Sequence, residues 1–266
     1  MESAQKKLKG IVHAHSKRSF DGVLGYGELR KLFIGSGLDF ACMTEHIEHL
    51  TQSDIEVIIQ DCHDHSDDQF LLIPGIETDC FTVYFLGISR TLVDFSSNRA
   101  IYNSLRPNAK LCVLSHPIKA RFRYPHWIVE DCDAVEIMNN KHDGKFYFRP
   151  QSEKLWKTIR QSRPEVVPVV GMDFHQPAHF FPVYIQLTQQ GPLTADFVLE
   201  QLRMGRTQFF DGNRCLSTAD WLSRNYFRGR IYAMDWAHSV NKALHRFGIR
   251  VPRGLRKRFA RVMEGR

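Results

Sequence analysis

The chain has 266 residues, 36 Lys and Arg against 29 Asp and Glu for a net charge of +7, and 43% apolar residues. That length suits one large barrel or one domain with an extension, and the apolar fraction supports a full core. No stretch nears the roughly 20 apolar residues that cross a bilayer. The polar, basic start MESAQKKLKG has no apolar run behind it, which reads against a signal peptide and predicts a cytoplasmic protein.

Short β-rich runs alternate with helical patterns, the order of a parallel α/β architecture. The first run, LKGIVHAH, ends in His13 and His15, and Asp21 follows in SFDG. A helix is predicted over residues 27–34, with Leu29, Leu32 and Phe33 on one face and Gly35 or Gly37 to stop it. LDFACMTEH ends in His46. A second helix is predicted from Ser53 as N-cap, with Ile55, Ile58 and Ile59 inward. FLLIPGIE ends in Glu77, and FTVYFLGIS reads as an extra strand hairpinned to it. AKLCVLSHP ends in His116, DAVEIMN precedes His142, and EVVPVVGMDFH ends in Asp173 and His175. Further helices are predicted from Ser152, with Leu155 and Ile159 as the stripe, and over residues 194–204.

The pattern changes after about Asn213. Residues 231–247 suit an amphipathic helix with Ala233, Trp236, Val240, Leu244 and Phe247 on one side, continued by Leu255, Phe259 and Val262. Residues 214–266 hold thirteen Lys and Arg against Asp220, Asp235 and Glu264, so this extension makes the protein basic while the remainder is mildly acidic. Three readings fit it: helices packed on the body with solvated arginines, attachment to an anionic membrane surface, or contact with nucleic acid. The six cysteines (Cys42, Cys62, Cys80, Cys112, Cys132 and Cys215) form no CxxC pair and are predicted to be reduced core thiols.

Nearly every His and acidic residue named above stands at the C-terminal end of a predicted strand. In a β/α barrel those ends converge on the face that hosts chemistry. His13 and His15 form H-x-H on a strand, where period two sends both imidazoles to one side. A decoy H-x-H, His63 and His65, lies in the polar helix end DCHDHSDD and is expected to hold no metal. His49 in EHIEH has the wrong spacing for a zincin helix and reads as a loop residue. The aromatic run HFFPVY around Phe180 reads as wall or core.

The motifs HAHSKRSFDG, GLDFACMTEH, IPGIE, SHP and GMDFH follow one another in the order of the PHP family, the polymerase and histidinol phosphatase metallohydrolases, and the chain resembles that family over roughly residues 8–190. Three departures stand out: Ile11 replaces an acidic residue two before the first His, TEH replaces TDH, and GMD replaces GSD. The first removes a carboxylate that would orient a liganding imidazole. The resemblance implies a distorted seven-stranded β/α (TIM-like) barrel in residues 1–213, with residues 214–266 as a basic helical extension. It implies a cleft for two or three divalent ions. His13, His15, Glu77 and Asp173 would hold the first. Glu77 would bridge to a second held also by His116 and one further His, for which His142 is the choice. Asp21, His46 and His175 would hold the third.

Imidazole and carboxylate ligands without thiolate suit Zn, Mn or Fe and do not select among them. Paired ions roughly 3.5–4 Å apart activate water and clamp an in-line displacement. Three divalent ions against three carboxylates leave the cleft positive and attractive to phosphate. Lys17, Arg18, Lys119, Arg121 and Arg123 lie next to these motifs and are candidate phosphate clamps, as are Lys141 and Lys145; solvated surface bases are the equal alternative for each. The predicted function is a metal-dependent phosphoesterase acting on a small phosphomonoester or phosphorylated nucleotide. The alternatives are a nuclease that holds its strand with the basic extension, a non-catalytic module that binds a phosphorylated ligand, and hydrolysis of a non-phosphate bond.

Overall fold

The computed structural model describes residues 6–89, 92–143, 148–212, 214–217, 221–246, 252 and 254. Strand β1 (Lys7–Ala14) leads to helix α1 (Tyr26–Gly35), whose buried stripe is Tyr26, Leu29 and Phe33. Gly37, at φ 73°, takes the left-handed position after this helix that glycine fills without strain. β2 (Phe40–Met43) and β3 (Glu45–His46) are one strand interrupted at Thr44. Helix α2 (Gln52–Asp64) is capped by Thr51 rather than Ser53. The reason is reciprocal: Asp54 N–H donates to Thr51 Oγ1 at 3.4 Å and Thr51 N–H donates to Asp54 Oδ2 at 2.8 Å, satisfying two end donors at once.

β4 (Leu71–Ile73) and β5 (Gly75–Thr78) are again one strand, broken at Pro74, and β6 (Val83–Leu86) returns antiparallel on β5 as the expected hairpin. Then come α3 (Asn98–Leu105), β7 (Leu111–Leu114), α4 (His126–Val129) and β8 (Ala134–Asn139). Helix α5 (Pro150–Ser162) opens on a proline, whose missing N–H is no loss in a first turn; Ser152, predicted as its start, is buried inside it. β9 (Val167–Gly171), β10 (Val183–Thr188), α6 (Ala195–Arg203), β11 (Gln208–Asp211), β12 (Arg214–Leu216) and α7 (Trp221–Arg246) complete the order.

The strands make two six-stranded sheets, β12-β11-β10-β1-β2-β4 and β3-β5-β6-β7-β8-β9. Because β2 runs into β3 and β4 into β5, the two sheets share those strands. At the far edge the chain after β9 bonds back to β1: Met172 N–H donates to Val12 O at 2.9 Å, Phe174 N–H to His13 O at 3.2 Å, and His15 N–H to Phe174 O at 2.8 Å. Parallel pairing holds for β1–β2, β2–β4, β3–β5, β7–β8 and β8–β9, whereas β6 and β10 to β12 pair antiparallel. The run containing Val183 is therefore strand β10, whose burial alternates because only one side faces the core. Of the cysteines, Cys42, Cys62, Cys112 and Cys132 are buried thiols, while Cys80 and Cys215 are exposed and do not belong to the core.

Helix α7 docks on a face other than the expected one. Ile231 is fully buried, whereas Ala233 is exposed and Trp236 is 68% exposed. Two ion pairs set this rotation: Arg149 Nη2 donates to Asp235 Oδ2 at 2.6 Å and Arg228 Nη2 to Glu153 Oε2 at 3.2 Å. Positions 228, 231 and 235 share one helix face, and the buried partners on α5 and before it select that face over the apolar stripe. Phe247, Leu255, Phe259 and Val262 lie outside the described residues. Among the described residues no helix is long and apolar enough to cross a membrane.

Arg149 is 2% exposed and also faces Asp143 Oδ1 at 3.5 Å. Burial pushes the Asp143 carboxyl up to about 7, with Arg149 opposing the rise. Removing one partner of such a buried network leaves charge uncompensated. Arg149→Ala should therefore lower the unfolding free energy by about 3 kcal/mol in urea denaturation, and a loss within error of zero would show that the network contributes nothing.

Candidate metal centre

The candidate side chains start from an unusual backbone. His13, His116 and Asp173 have φ of 70°, 22° and 53°, in the left-handed region that residues with a Cβ rarely adopt. Such conformations cost about 1–3 kcal/mol each and persist where the surroundings enforce them. At His13 the β1–β2 register slips between Val12 and Ala14. The two imidazoles of H-x-H thus converge through a kink in the strand, not through regular alternation, and their ring centres lie 5.2 Å apart.

All nine predicted ligand residues meet in one cleft. His13 Nε2 and His15 Nε2 lie 3.1 and 3.4 Å from Glu77 Oε2, and 3.8 and 3.6 Å from Asp173 Oδ1. His116 Nε2 lies 2.8 Å from Glu77 Oε1, and His142 Nε2 lies 3.2 Å from Asp173 Oδ2. His142 packs edge-on against His116, with ring centres 4.8 Å apart. On the other flank, His175 Nε2 lies 2.9 Å from Asp21 Oδ2 and His46 Nε2 lies 3.7 Å from Asp21 Oδ1. His15 stacks between these two imidazoles, at 4.4 Å from His46 and 4.1 Å from His175. Five sets result whose ligand atoms lie within 4.8 Å of one another: His15, Asp21, His46 and His175; His13, Glu77 and His116; His13, His15 and Asp173; His116, His142 and Asp173; and His46, Glu77 and Asp79.

Several of these atoms are buried without an aligned hydrogen-bond partner: His15 Nε2, His46 Nδ1, Glu77 Oε1, His142 Nε2 and Asp173 Oδ2. Glu77 Oε1 is close to His116 and Asp173 Oδ2 to His142, but neither contact has hydrogen-bond alignment. Unsatisfied lone pairs of this kind, collected in one place, fit a divalent cation. Burial pushes Glu77 up, yet His13 and His116 outweigh it and hold the carboxyl well below its usual range. Asp173 is likewise held low against its burial, by His13, His142 and His15. Burial and the neighbouring His175 keep His15 well below an ordinary imidazole, so it is neutral with a free lone pair.

Glu136, on β8, is a residue the motifs do not name. Its Oε1 lies 3.0 Å from His13 Nδ1, and its Oε2 accepts from His116 N–H at 2.5 Å and from Asn139 Nδ2 at 2.9 Å. It thus supplies from β8 the orienting carboxylate that Ile11 fails to supply from β1. Gly171 makes room for it: a Cβ there would lie 1.6 Å from Glu136 Oε1. The only signal in the sequence is an acid inside the apolar run AVEIM, and a buried carboxylate needs partners. Asp79, two residues past Glu77, is a second addition, at 3.7 Å from His46 Nδ1. Glu45 of TEH ties down the loop after β1, accepting from Ser16 N–H at 3.1 Å, Ser19 Oγ at 2.5 Å and Tyr26 OH at 2.9 Å.

The predicted clamps divide. Lys17 pairs with Glu28 at 3.2 Å and Arg18 with Asp61 at 2.9 Å, on the outer faces of α1 and α2. In both, the charge is engaged by a helix carboxylate that sequence adjacency does not reveal. Lys119 lies 3.6 Å from Asp79 at the edge of the cleft. Arg121 and Arg123 are exposed on the turn after His116. Lys141 reaches into the cleft, and Lys145 lies outside the described residues. The decoys stay apart: His63 is exposed beside Asp64, His65 Nδ1 bonds to Asp61 O at 2.8 Å, and His49 is exposed against Phe20.

No family model matches the chain, and no curated protein matches it. Among solved structures it is similar to a two-domain protein from Bacteroides vulgatus described as containing a predicted PHP-like metal-dependent phosphoesterase, with a TM-score of 0.58 and 15% identity over 79% of this chain and 66% of that one. The chain therefore spans just under two thirds of that protein's length. It is also similar to PsfC from Pseudomonas syringae, with a TM-score of 0.49 and 12% identity over 87% of this chain and 97% of that one. The first likeness shows a shared mixed α/β fold, and the motifs of the chain resemble those of the PHP family.

Glu136 offers a direct test. Glu136→Gln keeps the shape but weakens the hold on His13 Nδ1, and should lower divalent-metal affinity by about 10- to 100-fold in a competition titration with a chelating dye. Unchanged affinity would rule out the orienting role.

Proposed function

We propose that this chain is a PHP-type metal-dependent phosphoesterase that hydrolyses a small phosphomonoester or phosphorylated nucleotide. The single observation that carries the reading is the convergence of nine imidazole and carboxylate side chains, seven of them buried, around shared, unsatisfied lone pairs. In this reading β1, β2–β3, β4–β5, β6, β7, β8 and β9 are the seven strands of a distorted barrel, closed by the backbone bonds between residues 172–174 and β1. Residues 1–213 form the catalytic body, and β12 with α7 begins the extension that docks on it.

His13, His15, Glu77 and Asp173 would hold one Zn, Mn or Fe ion, and His116 and His142 a neighbouring one with Glu77 and Asp173 as the shared carboxylates. His46, His175 and Asp21 make the third group. Bound divalent ions supply an acidified water at neutral pH and stabilise charge on the phosphoryl and departing oxygens. Glu136 fixes the ring of His13 and the backbone of His116. Lys119, at the rim, is placed to meet a phosphate oxygen, with Arg121 and Arg123 on the same turn as bidentate alternatives. Most of the metal-facing side chains are buried, while Asp21 and Asp79 are the most exposed, so substrate would enter from that flank.

Elemental analysis of the purified protein, paired with a panel of phosphate mono- and diesters, tests the proposal. At least two divalent ions per chain and metal-dependent release of phosphate from monoesters are expected, with loss of turnover on chelation. Asp173→Ala should remove both activity and bound metal, whereas His63→Ala should change neither. Wild-type turnover in Asp173→Ala would overturn the assignment. Nucleotide release from an oligonucleotide without monoester turnover would replace it with a nuclease.

A further inference from the structure

We infer that Lys141 is a built-in third cation: its ammonium takes the place between Asp21, Asp173 and His175, and the cleft binds two divalent ions rather than three. The inference rests on the metal-cleft reading above and deepens it. Lys141 Nζ lies 3.0 Å from His175 Nε2 and 3.3 Å from His175 Nδ1. It also lies 3.6 Å from Asp173 Oδ1 and 3.8 Å from Asp21 Oδ2. Asp21 and His175 are two of the groups that would otherwise hold an ion on the flank away from His116, together with His15 and His46.

This placement follows from a tied turn. Asn139 Oδ1 accepts from the N–H groups of Lys141 and His142 at 3.1 and 3.0 Å. Asp143 N–H donates to Asn139 O at 2.8 Å, and Asn139 N–H donates to Asp143 Oδ2 at 2.9 Å. One turn therefore presents His142 to one oxygen of Asp173 and Lys141 to the other. The lysine side chain is 28% exposed. An ammonium and a divalent ion repel strongly at such separations in a weakly screened cleft, so the two exclude each other from this flank. The ammonium also differs from a metal in what it offers. It brings one charge and three N–H donors, and it accepts no lone pair from water into a coordination shell. The flank would then hold a substrate oxygen by hydrogen bonds, and the two ions on the Glu77 and Asp173 side would be the ones that act on water.

The test counts metal. Full-length wild type, Lys141→Ala and Lys141→Met are stripped with chelator, reloaded in excess Mn2+ or Zn2+, desalted and analysed for metal per folded chain, with circular dichroism to verify folding. Two ions in the wild type and three in either variant are expected. Three ions in the wild type would overturn the inference without any variant, as would two ions in both wild type and folded variants. A wild type that retains no more than one ion would overturn the metal-cleft reading itself and this inference with it.

Discussion

Imidazoles and carboxylates crowded away from water can coexist only if their charges are matched, and this constraint shapes the cleft. Glu77 and Asp173 are ionised despite burial because imidazoles press on them from two sides. The imidazoles cannot all answer with a proton. His15 lies 4.1 Å from His175 and 4.4 Å from His46. Two unit charges about 4 Å apart repel by about 4 kcal/mol even at an effective dielectric near 20. Charge is therefore divided unevenly: His13, against three carboxylates, is pushed up past its burial, while His15, among other imidazoles, is pushed down. Divalent ions would relieve both problems together, since they neutralise carboxylates and use neutral imidazoles as donors.

The scaffold gives that cleft its rigidity. Three of its residues begin from left-handed backbone, and the strain is borne by the sheet. The chain after β9 is bonded to β1 on both sides of His13, and Glu136 bridges the His13 ring to the backbone of His116. Gly171 is part of the same device, because any side chain there would displace the Glu136 carboxylate. Positions that look like independent motifs along the chain are thus coupled through one buried acid.

Much of this was legible in the sequence for a simple reason. A parallel strand is buried on both faces, so it reads as a short apolar run, and a His or acid at its end has no packing role to explain it. That logic pointed to eight of the nine side chains that the structure brings together, and the family resemblance added His142. What it could not read was direction. Lys17 and Arg18 adjoin a ligand motif, but their partners Glu28 and Asp61 sit on helices whose placement is a tertiary fact. The convergence of His13 with His15 depends on a bulge that period two does not contain. Glu136 was hidden because its neighbours are all apolar, and β10 because its alternation overlaps an aromatic run. The face of α7 was misread because ion pairs, not its apolar stripe, decide how it docks.

Those same ion pairs tie α7 to the cleft. Asp235 holds Arg149, Arg149 faces the buried carboxyl of Asp143, and Asp143 closes the turn that carries Lys141 and His142. The Arg149–Asp235 bond is short at 2.6 Å, and Arg149 and Asp143 are both buried. A helix that only decorated the body would have no need of a buried arginine beneath it. Helix α7 and the turn that carries His142 are in this sense tied together. A change in how α7 seats on the body would bear first on Arg149 and Asp143, and through them on the turn that carries His142.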